Sequence, residues 1–195
     1  MNSPQIEQYL QLLLKWNKAY NLTAIRDLDS MRTKHIADSL AVAPYLHGDV
    51  ILDVGTGAGL PGIPLAIINP EKQFILLDSN GKKVRFLRQA IHDLGLKNVQ
   101  AAQARVEEYQ ANQPISSIIS RAFASICDML STTAHLANQD TQFLAMKGIV
   151  HQEELAQLPQ EFKLIAIHEL KIPDLDEPRC LIVIEKHDDQ NTSRS

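Results

Sequence analysis

Four glycines and one aspartate lie close together within residues 50–62, which read VILDVGTGAGLPG. The apolar, β-branched run that begins at Val50 stops abruptly at Gly55. Such a run predicts a buried strand that breaks into a tight turn and then opens a helix. Because glycine accepts positive φ and lacks a side chain, a ligand can lie against this turn, where the free N–H groups of the helix also point.

The spacing of these glycines narrows the class of ligand. A phosphate loop needs Lys and Ser or Thr after Gly62, but Ile63 and Pro64 stand there. A dinucleotide fingerprint needs its third glycine where the chain has Leu60, so that ligand would fit poorly. The pattern present resembles the first motif of the S-adenosylmethionine-dependent methyltransferases, since it reads Asp53-x-Gly55-x-Gly57-x-Gly59.

A second acidic residue favours a nucleoside ligand. Residues 73–78 predict another buried strand, which ends at Asp78. A carboxylate about 20 residues beyond the glycines, at the end of the next strand, is placed to accept hydrogen bonds from both ribose hydroxyls. The alternative is an ordinary glycine-rich turn followed by a helix-capping aspartate, but turn, helix and acidic strand end all agree with the nucleoside.

The remaining chain predicts an α/β fold in which strands and helices alternate. Alternation indicates parallel pairing with right-handed crossovers, and the helix-free link before the last strand favours an antiparallel final pair. This resembles the Rossmann-like class I methyltransferase sheet of seven mostly parallel strands. Strands are predicted at 50–54, 73–78, 98–103, 115–120, 141–147, 161–171 and 180–186, and helices at 60–68, 80–95, 125–137 and 149–157.

The first 47 residues predict two helices that precede the sheet. One covers 3–19, and a second is capped by Asp29 or Ser30 and ends before Pro44. We therefore expect a helical extension over 1–47 packed on a core over 48–187, with a disordered polar tail over 188–195.

Composition limits the environment and the partners. The 195 residues carry a net charge of −4, so no global basic field attracts nucleic acid. The polar first ten residues and the absence of a long apolar run predict a cytoplasmic protein without a membrane anchor. The two cysteines, Cys127 and Cys180, form no CxxC pair, so neither a disulfide framework nor a metal site is expected.

Other polar residues follow the later strands of the sheet, where ligands bind in open parallel sheets. Val106 and Glu107 follow the third strand and suit either adenine recognition or helix capping. Arg121 follows the fourth strand and suits a carboxylate, a phosphate or a stacked base, with a structural salt bridge as the alternative. Lys147 ends the fifth strand and either meets phosphate or simply terminates the strand.

No arrangement for general acid–base or nucleophilic catalysis is evident in the sequence. A sulfonium methyl is already a strong electrophile, and a ring nitrogen with a free lone pair, such as guanine N7, need not lose a proton first. Catalysis then reduces to holding the two centres in line in a dry pocket, with no catalytic side chain required. His35 and Asp38 share a helix face at i, i+3 spacing, which suits contact with the substrate or a surface pair, and a surface pair is expected.

Strings in order over nearly the whole chain resemble the bacterial 16S ribosomal RNA guanine-N7 methyltransferases, once called glucose-inhibited division protein B. The resemblance implies transfer of a methyl group from S-adenosylmethionine to N7 of a guanine in the small-subunit decoding region. It also implies cofactor contacts at Gly55, Leu60, Val106, Glu107 and Arg121. Arg121 would in addition orient the substrate or the cofactor. The strings are WNKAYNLTAI (16–25), KHIADSL (34–40), DVGTGAGLPGIPLAI (53–67), LLDSNGKKVRFLRQ (76–89), RVEEY (105–109), SRAFA (120–124) and RCLIVIEK (179–186).

The expected partner is 16S rRNA or a small-subunit particle, bound by a monomer. Residues 81–105 contain six basic residues and one acidic residue, which gives a local charge of +5. This charge either binds RNA or simply marks a solvent-exposed helix face. Three other classes of protein stay open. The first is a methyltransferase that acts on another RNA, on a small molecule or on a protein. The second is a dinucleotide oxidoreductase, and the third is a non-catalytic nucleoside-binding module. The RNA-binding candidates are Arg26, Arg32, Lys34, His35, Lys82, Arg85, Arg88 and Lys147.

Overall fold

The sheet has seven strands in the order β3-β2-β1-β4-β5-β7-β6 in the computed structural model, which describes residues 3–186. Strands β1 to β5 run parallel, and β7 is antiparallel to both of its neighbours, β5 and β6. The predicted topology is therefore confirmed. The strands are β1 (Val50–Val54), β2 (Gln73–Asp78), β3 (Val99–Gln103), β4 (Ser117–Ser120), β5 (Gln142–Lys147), β6 (Phe162–Glu169) and β7 (Cys180–Lys186).

Burial along the strands follows their place in the sheet. The central strands β1 and β4 are buried at nearly every position, because helices cover both faces. The outermost strand β6 alternates between covered and more exposed residues. Its pairing register with β7 shifts between Leu164 and Ala166, so Ile165 is an extra residue at a β-bulge.

Seven α-helices flank the sheet in residues 3–186. A π-helical segment, Arg32–Ala37, joins the second of these helices to the third. The helices are α1 (Pro4–Tyr20), α2 (Leu28–Met31), α3 (Asp38–Leu40), α4 (Gly62–Ile68), α5 (Gly81–Asp93), α6 (Ile126–Thr133) and α7 (Gln152–Ala156). None of the described helices is long and apolar enough to cross a membrane.

Several element boundaries differ from prediction by a few residues, and local hydrogen bonds lie at two of them. Helix α2 is capped by Asp27 rather than by Asp29 or Ser30, since the Asp27 side chain accepts the Ser30 N–H at 2.8 Å. The third strand begins at Val99, after Asn98. The buried Asn98 side chain donates to the carbonyl of Ala66 in α4 at 3.1 Å, and also to the carbonyls of Asn69 and Lys72 in the α4–β2 connection. It therefore ties a loop together.

Helix α1 packs on the helices that follow β1 and β2. Tyr9, Leu10 and Leu13 are fully buried and share one hydrophobic cluster with Leu60 and Phe86. Burying each such large side chain contributes about 1.5–3 kcal/mol. The division into a 1–47 extension and a 48–187 core stays a prediction, and the predicted tail over 188–195 lies outside the described residues.

Candidate active site

Asp53 supports the glycine turn after β1 from its buried side. Its Oδ2 accepts hydrogen bonds from Thr56 Oγ1 at 2.6 Å and from the Gly62 N–H at 2.8 Å. Burial raises the pKa of Asp53 to about 6, although both hydrogen bonds favour the charged form. The other oxygen, Oδ1, is buried without a hydrogen-bond partner among the described residues. Asp53 therefore fixes the curvature of the turn.

Asp78 supports the same turn from the end of β2. Its Oδ2 accepts the Gly57 N–H at 2.9 Å, and its Oδ1 accepts the Asn80 N–H at 2.9 Å. Lys83 Nζ lies 3.7 Å from Oδ2. Because each carboxylate oxygen can accept two hydrogen bonds, Asp78 keeps acceptor capacity for the predicted ribose contact.

The glycines of the turn divide into an open and a buried group. Gly55 is exposed, and Gly57 is partly exposed, with φ of 67° and 62°. A Cβ built on Gly57 would meet no atom closer than 3.9 Å, so it would project into open space. A Cβ on Gly59 would instead collide with the side chain of Ile63. Gly57 therefore opens onto a space that a ligand can fill, whereas Gly59 serves packing.

Three of the predicted cofactor contacts have little exposed surface, and their contact with the cofactor stays a prediction. Asp53, Gly59 and Leu60 are buried inside the turn, with Asp53 0% exposed. The N–H groups of Gly59 and Leu60 already donate to Thr56 O at 2.9 Å each. Their hydrogen bonds shape the turn that presents Gly55 and Gly57.

A tyrosine from α1 also supports the turn, and the sequence analysis missed it. The Tyr9 hydroxyl donates to the Ala58 carbonyl at 2.7 Å, between residues 49 positions apart in the chain. Burial raises the pKa of Tyr9, so its hydroxyl stays protonated and keeps this bond. Tyr9 has the helical spacing of a core residue, and only the tertiary structure reveals its polar partner.

A cavity of about 500 Å³ lies beside the turn. The residue after Arg121 abuts the turn directly, because a Cβ on Gly55 would lie 2.8 Å from the Ala122 Cβ. Arg121 lines the cavity, and its Nη1 donates to Asp38 Oδ2 at 3.1 Å. The charged lining residues are Lys34, Asp38, Arg121, Lys147, Glu177 and Arg179.

The prediction that His35 and Asp38 form a surface pair is wrong. They are 6% and 4% exposed, and both line the cavity, where Arg121 and Arg179 contact Asp38. His35 Nε2 lies 2.8 Å from Thr23 Oγ1 in a hydrogen bond. Burial, aided by the nearby Arg121, lowers the pKa of His35 to about 4, so the ring stays neutral near pH 7.

Most of the N-terminal RNA-binding candidates have partners within the chain. Arg32 pairs with Glu7 at 2.8 Å, and Lys34 pairs with Glu177 at 2.8 Å. Arg26 donates to the Asn21 side chain at 3.1 Å. Each would have to exchange this partner for a phosphate, and His35 is reachable only through the cavity.

Lys147 is also engaged within the chain. Its Nζ lies 2.9 Å from a Glu154 carboxylate oxygen and donates to Ala124 O at 2.6 Å. The side chain is only 14% exposed. The ammonium group has three donors, so one remains for the predicted contact with phosphate on this largely covered side chain.

The RNA-binding candidates on α5 differ from the candidates above because they are exposed and form no ion pair among the described residues. Lys82, Arg85 and Arg88 are exposed and line an open cavity of about 800 Å³. None of the ion pairs found within residues 3–186 involves them. Of the predicted candidates, these three are thus the cations most available to an external anion.

The segment after β3 brings the predicted adenine contacts to the same edge of the sheet. A short 3-10 helix, Val106–Glu108, begins there, with Val106 half-buried and Glu107 exposed. Their contact with the cofactor stays a prediction. The described residues contain no group of three His, Cys, Asp or Glu that could hold a metal ion.

Comparison with known proteins assigns the family. The family model GidB, described as rRNA small subunit methyltransferase G, matches residues 2–183. The chain belongs to the GidB family. A GidB-family relative, ribosomal RNA small subunit methyltransferase G of Aeromonas salmonicida (strain A449), is 56% identical over 178 residues, 91% of this chain and 86% of its own length. The enzyme of that name from Escherichia coli O1:K1 / APEC is 51% identical over 181 residues, 93% of this chain and 87% of its own.

Solved structures support the fold of this GidB-family chain at low identity. TrmK of M. capricolum, in complex with S-adenosyl-homocysteine, matches with a TM-score of 0.59 at 15% identity, over 76% of this chain and 67% of its own. A SAM dependent methyltransferase from Aquifex aeolicus matches with a TM-score of 0.59 at 13% identity, over 80% and 93%. At these identities the likeness shows the fold alone, which is the predicted Rossmann-like methyltransferase fold.

His35→Gln should remove the destabilisation that His35 contributes as pH falls from 7 to 5. The folded pKa of about 4 lies below the unfolded value of 6.5. The unfolded chain therefore binds the proton more readily, and the wild type loses stability as pH falls through this window. From pH 7 to pH 5 the His35 share is about 2 kcal/mol. Glutamine cannot take up the proton, so urea titrations at both pH values should show a smaller loss.

His92→Gln is the matched control, because the His92 side chain is 85% exposed. This variant should keep the acid loss of the wild type. An acid loss in His35→Gln as large as that of the wild type would contradict the neutral, buried state of His35.

Proposed function

We propose that this chain transfers a methyl group from S-adenosylmethionine to N7 of a guanine in the 16S rRNA of the small ribosomal subunit. The single observation that carries the proposal is the family match over residues 2–183, supported by relatives that are named for small-subunit rRNA methylation. The guanine N7 target comes from the motif resemblance. We infer that the enzyme works as a monomer on cytoplasmic small subunits or their rRNA.

The glycine turn fits the methyl donor. Gly57 leaves open space that a side chain would fill, Gly55 is exposed on the same turn, and Asp78 has acceptor capacity at its edge. The unpartnered Asp53 Oδ1 lies just beneath the turn. We propose that Gly55 and Gly57 line the donor, that Asp78 holds its ribose, and that Val106, Glu107 and Arg121 complete the site.

The proposed methyl transfer requires no side chain to act as a general acid, a general base or a nucleophile. The donor supplies an electrophilic sulfonium methyl, and guanine N7 supplies a free lone pair. The carboxylates beneath the turn, Asp53 and Asp78, are already engaged by turn N–H and hydroxyl groups. The protein's contribution is then to fix the two reacting centres in line and exclude water.

The basic face of α5 supports RNA as the substrate. Lys82, Arg85 and Arg88 project beside the turn-supporting end of β2, free of ion pairs within the described chain. Phosphate contacts of this kind provide affinity without reading sequence. We propose that this face binds the RNA backbone near the target.

A direct transfer assay tests the function. Purified protein, S-adenosylmethionine with a labelled methyl group and small subunits from a strain lacking the enzyme should yield one N7-methylguanosine in 16S rRNA. Label on another base, or on no RNA, would overturn the proposal. Melting curves separate the oxidoreductase alternative, because S-adenosylhomocysteine rather than NAD should raise the melting temperature.

Gly57→Ala should weaken S-adenosylhomocysteine binding by at least about tenfold, because its new methyl group projects into the ligand space. The backbone strain at positive φ should lower stability by about 1–2 kcal/mol. Isothermal titration calorimetry and chemical denaturation measure the two effects separately.

Gly95→Ala is the control, since Gly95 has φ +64° and a Cβ there would meet no atom within 4 Å. It should lose similar stability but keep the affinity. Equal affinities in the two variants would contradict the proposed position of the cofactor.

The double variant Arg85→Ala with Arg88→Ala should bind small subunits more weakly and with a salt dependence that is shallower by about one unit per lost phosphate contact. Filter binding across a salt series measures both. The charge-matched control is Lys163→Ala with Lys171→Ala, two exposed lysines at and just beyond β6. A slope as steep as that of the wild type would contradict RNA contact at α5.

A further inference from the structure

Asp38 is a buried carboxylate that the proposed function leaves unused. It is 4% exposed and lines the 500 Å³ cavity beside the glycine turn. Its Oδ2 accepts a hydrogen bond from Arg121 Nη1 at 3.1 Å. Its Oδ1 lies 3.4 Å from Arg179 Nε, an ion-pair contact, and has no hydrogen-bond partner among the described residues.

A buried carboxylate oxygen without a hydrogen bond is unusual in a folded protein and calls for a physical explanation. Burial raises the pKa of Asp38, and the nearby positive charges of Arg121 and Arg179 act in the opposite direction. A buried acceptor without a hydrogen bond is destabilising unless something supplies a donor. The two arginines therefore hold a carboxylate in the cavity wall whose Oδ1 has a long ion-pair contact with Arg179 and keeps capacity to accept hydrogen bonds.

The chemistry of an RNA base can meet this need. Of the four RNA bases, guanine alone presents two adjacent donors, N1–H and the N2 amino group, on its Watson–Crick edge. One ionised carboxylate oxygen has two lone pairs and donates no hydrogen bond, so it can accept both of these donors together, and adenine, cytosine and uracil do not offer such a pair. A cavity of about 500 Å³ also lies within the range of ligand pockets, which is about 300–1,000 Å³.

We propose that Asp38 is the specificity-determining residue that recognises the Watson–Crick edge of the target guanine. This inference rests on the proposed function and deepens it. Asp38 Oδ1 accepts from the base, while Arg121 stays bound to Oδ2 and links the base pocket to the turn through Ala122. Because N7 lies on the opposite side of the purine from N1 and N2, a base held by Asp38 directs N7 away from that carboxylate.

Arg179 is the group that covers Oδ1 in the absence of RNA. Its guanidinium also contacts Glu177 at 3.3 Å and the Pro178 carbonyl at 2.9 Å, and its side chain is 26% exposed. These partners lie at the rim, in the segment before β7. A long side chain can exchange them for an RNA phosphate without movement of a helix. Arrival of the nucleotide then uncovers Asp38 Oδ1 as the base enters.

The alternative is that Asp38 only positions Arg121 and Arg179. The two roles differ in one measurable respect. If Asp38 reads the base edge, its effect depends on the N2 amino group of the target. If it only positions the arginines, its removal harms every substrate equally.

The test compares small subunits carrying guanosine or inosine at the target position, since inosine lacks only the N2 amino group. The wild type should show a kcat/KM at least about tenfold higher on guanosine, as expected for a lost hydrogen bond to a charged group. Asp38→Asn should lower activity on guanosine and bring the guanosine-to-inosine ratio close to one. Melting curves and S-adenosylhomocysteine affinity verify that the variant is folded.

Glu177→Gln is the matched control, because Glu177 also lines the cavity and pairs with Lys34 and Arg179. It should keep the wild-type ratio. A wild-type ratio near one, or an unchanged ratio in Asp38→Asn, would overturn the assignment. Failure of the wild type on both substrates would instead count against the proposed methyl transfer itself.

Discussion

The site depends on two carboxylates that close the glycine turn from neighbouring strands. Asp53 ends up beneath the turn and Asp78 beside it because β1 and β2 are paired in parallel and finish at the same edge of the sheet. Their hydrogen bonds to Thr56, Gly57 and Gly62 determine where the backbone turns. Without them the glycines would be free to adopt many conformations, and no fixed surface would face the ligand.

The N-terminal helices contribute to the site as well as to the hydrophobic packing. Tyr9 reaches from α1 to a carbonyl of the turn, and Asp38 reaches from α3 to Arg121. The Tyr9 hydrogen bond is buried and the Asp38–Arg121 pair is partly buried, so breaking either contact carries a penalty. Movement of these helices would therefore change the shape of both the turn and the neighbouring cavity.

The sequence predicts the elements well and the polar contacts poorly. The apolar runs of β1, β2 and β7 define strands that the structure reproduces from end to end. The polar partners are set by tertiary packing, as Asp38 and Arg121 lie 83 residues apart. Helical spacing placed His35 and Asp38 on one face correctly, but it carries no information on what covers that face. Burial of Gly59 inside the turn is likewise visible only when Ile63 packs against it.

The bulge at Ile165 has a consequence for how copies of the chain meet one another. An edge strand offers a row of unpaired backbone donors and acceptors to any neighbouring molecule. The extra residue bends β6 and increases its local twist, so this row is no longer straight. A strand from a second copy that paired with β6 would lose its hydrogen-bonding register at the bulge. The irregularity thus works against fibre-like stacking at high protein concentration.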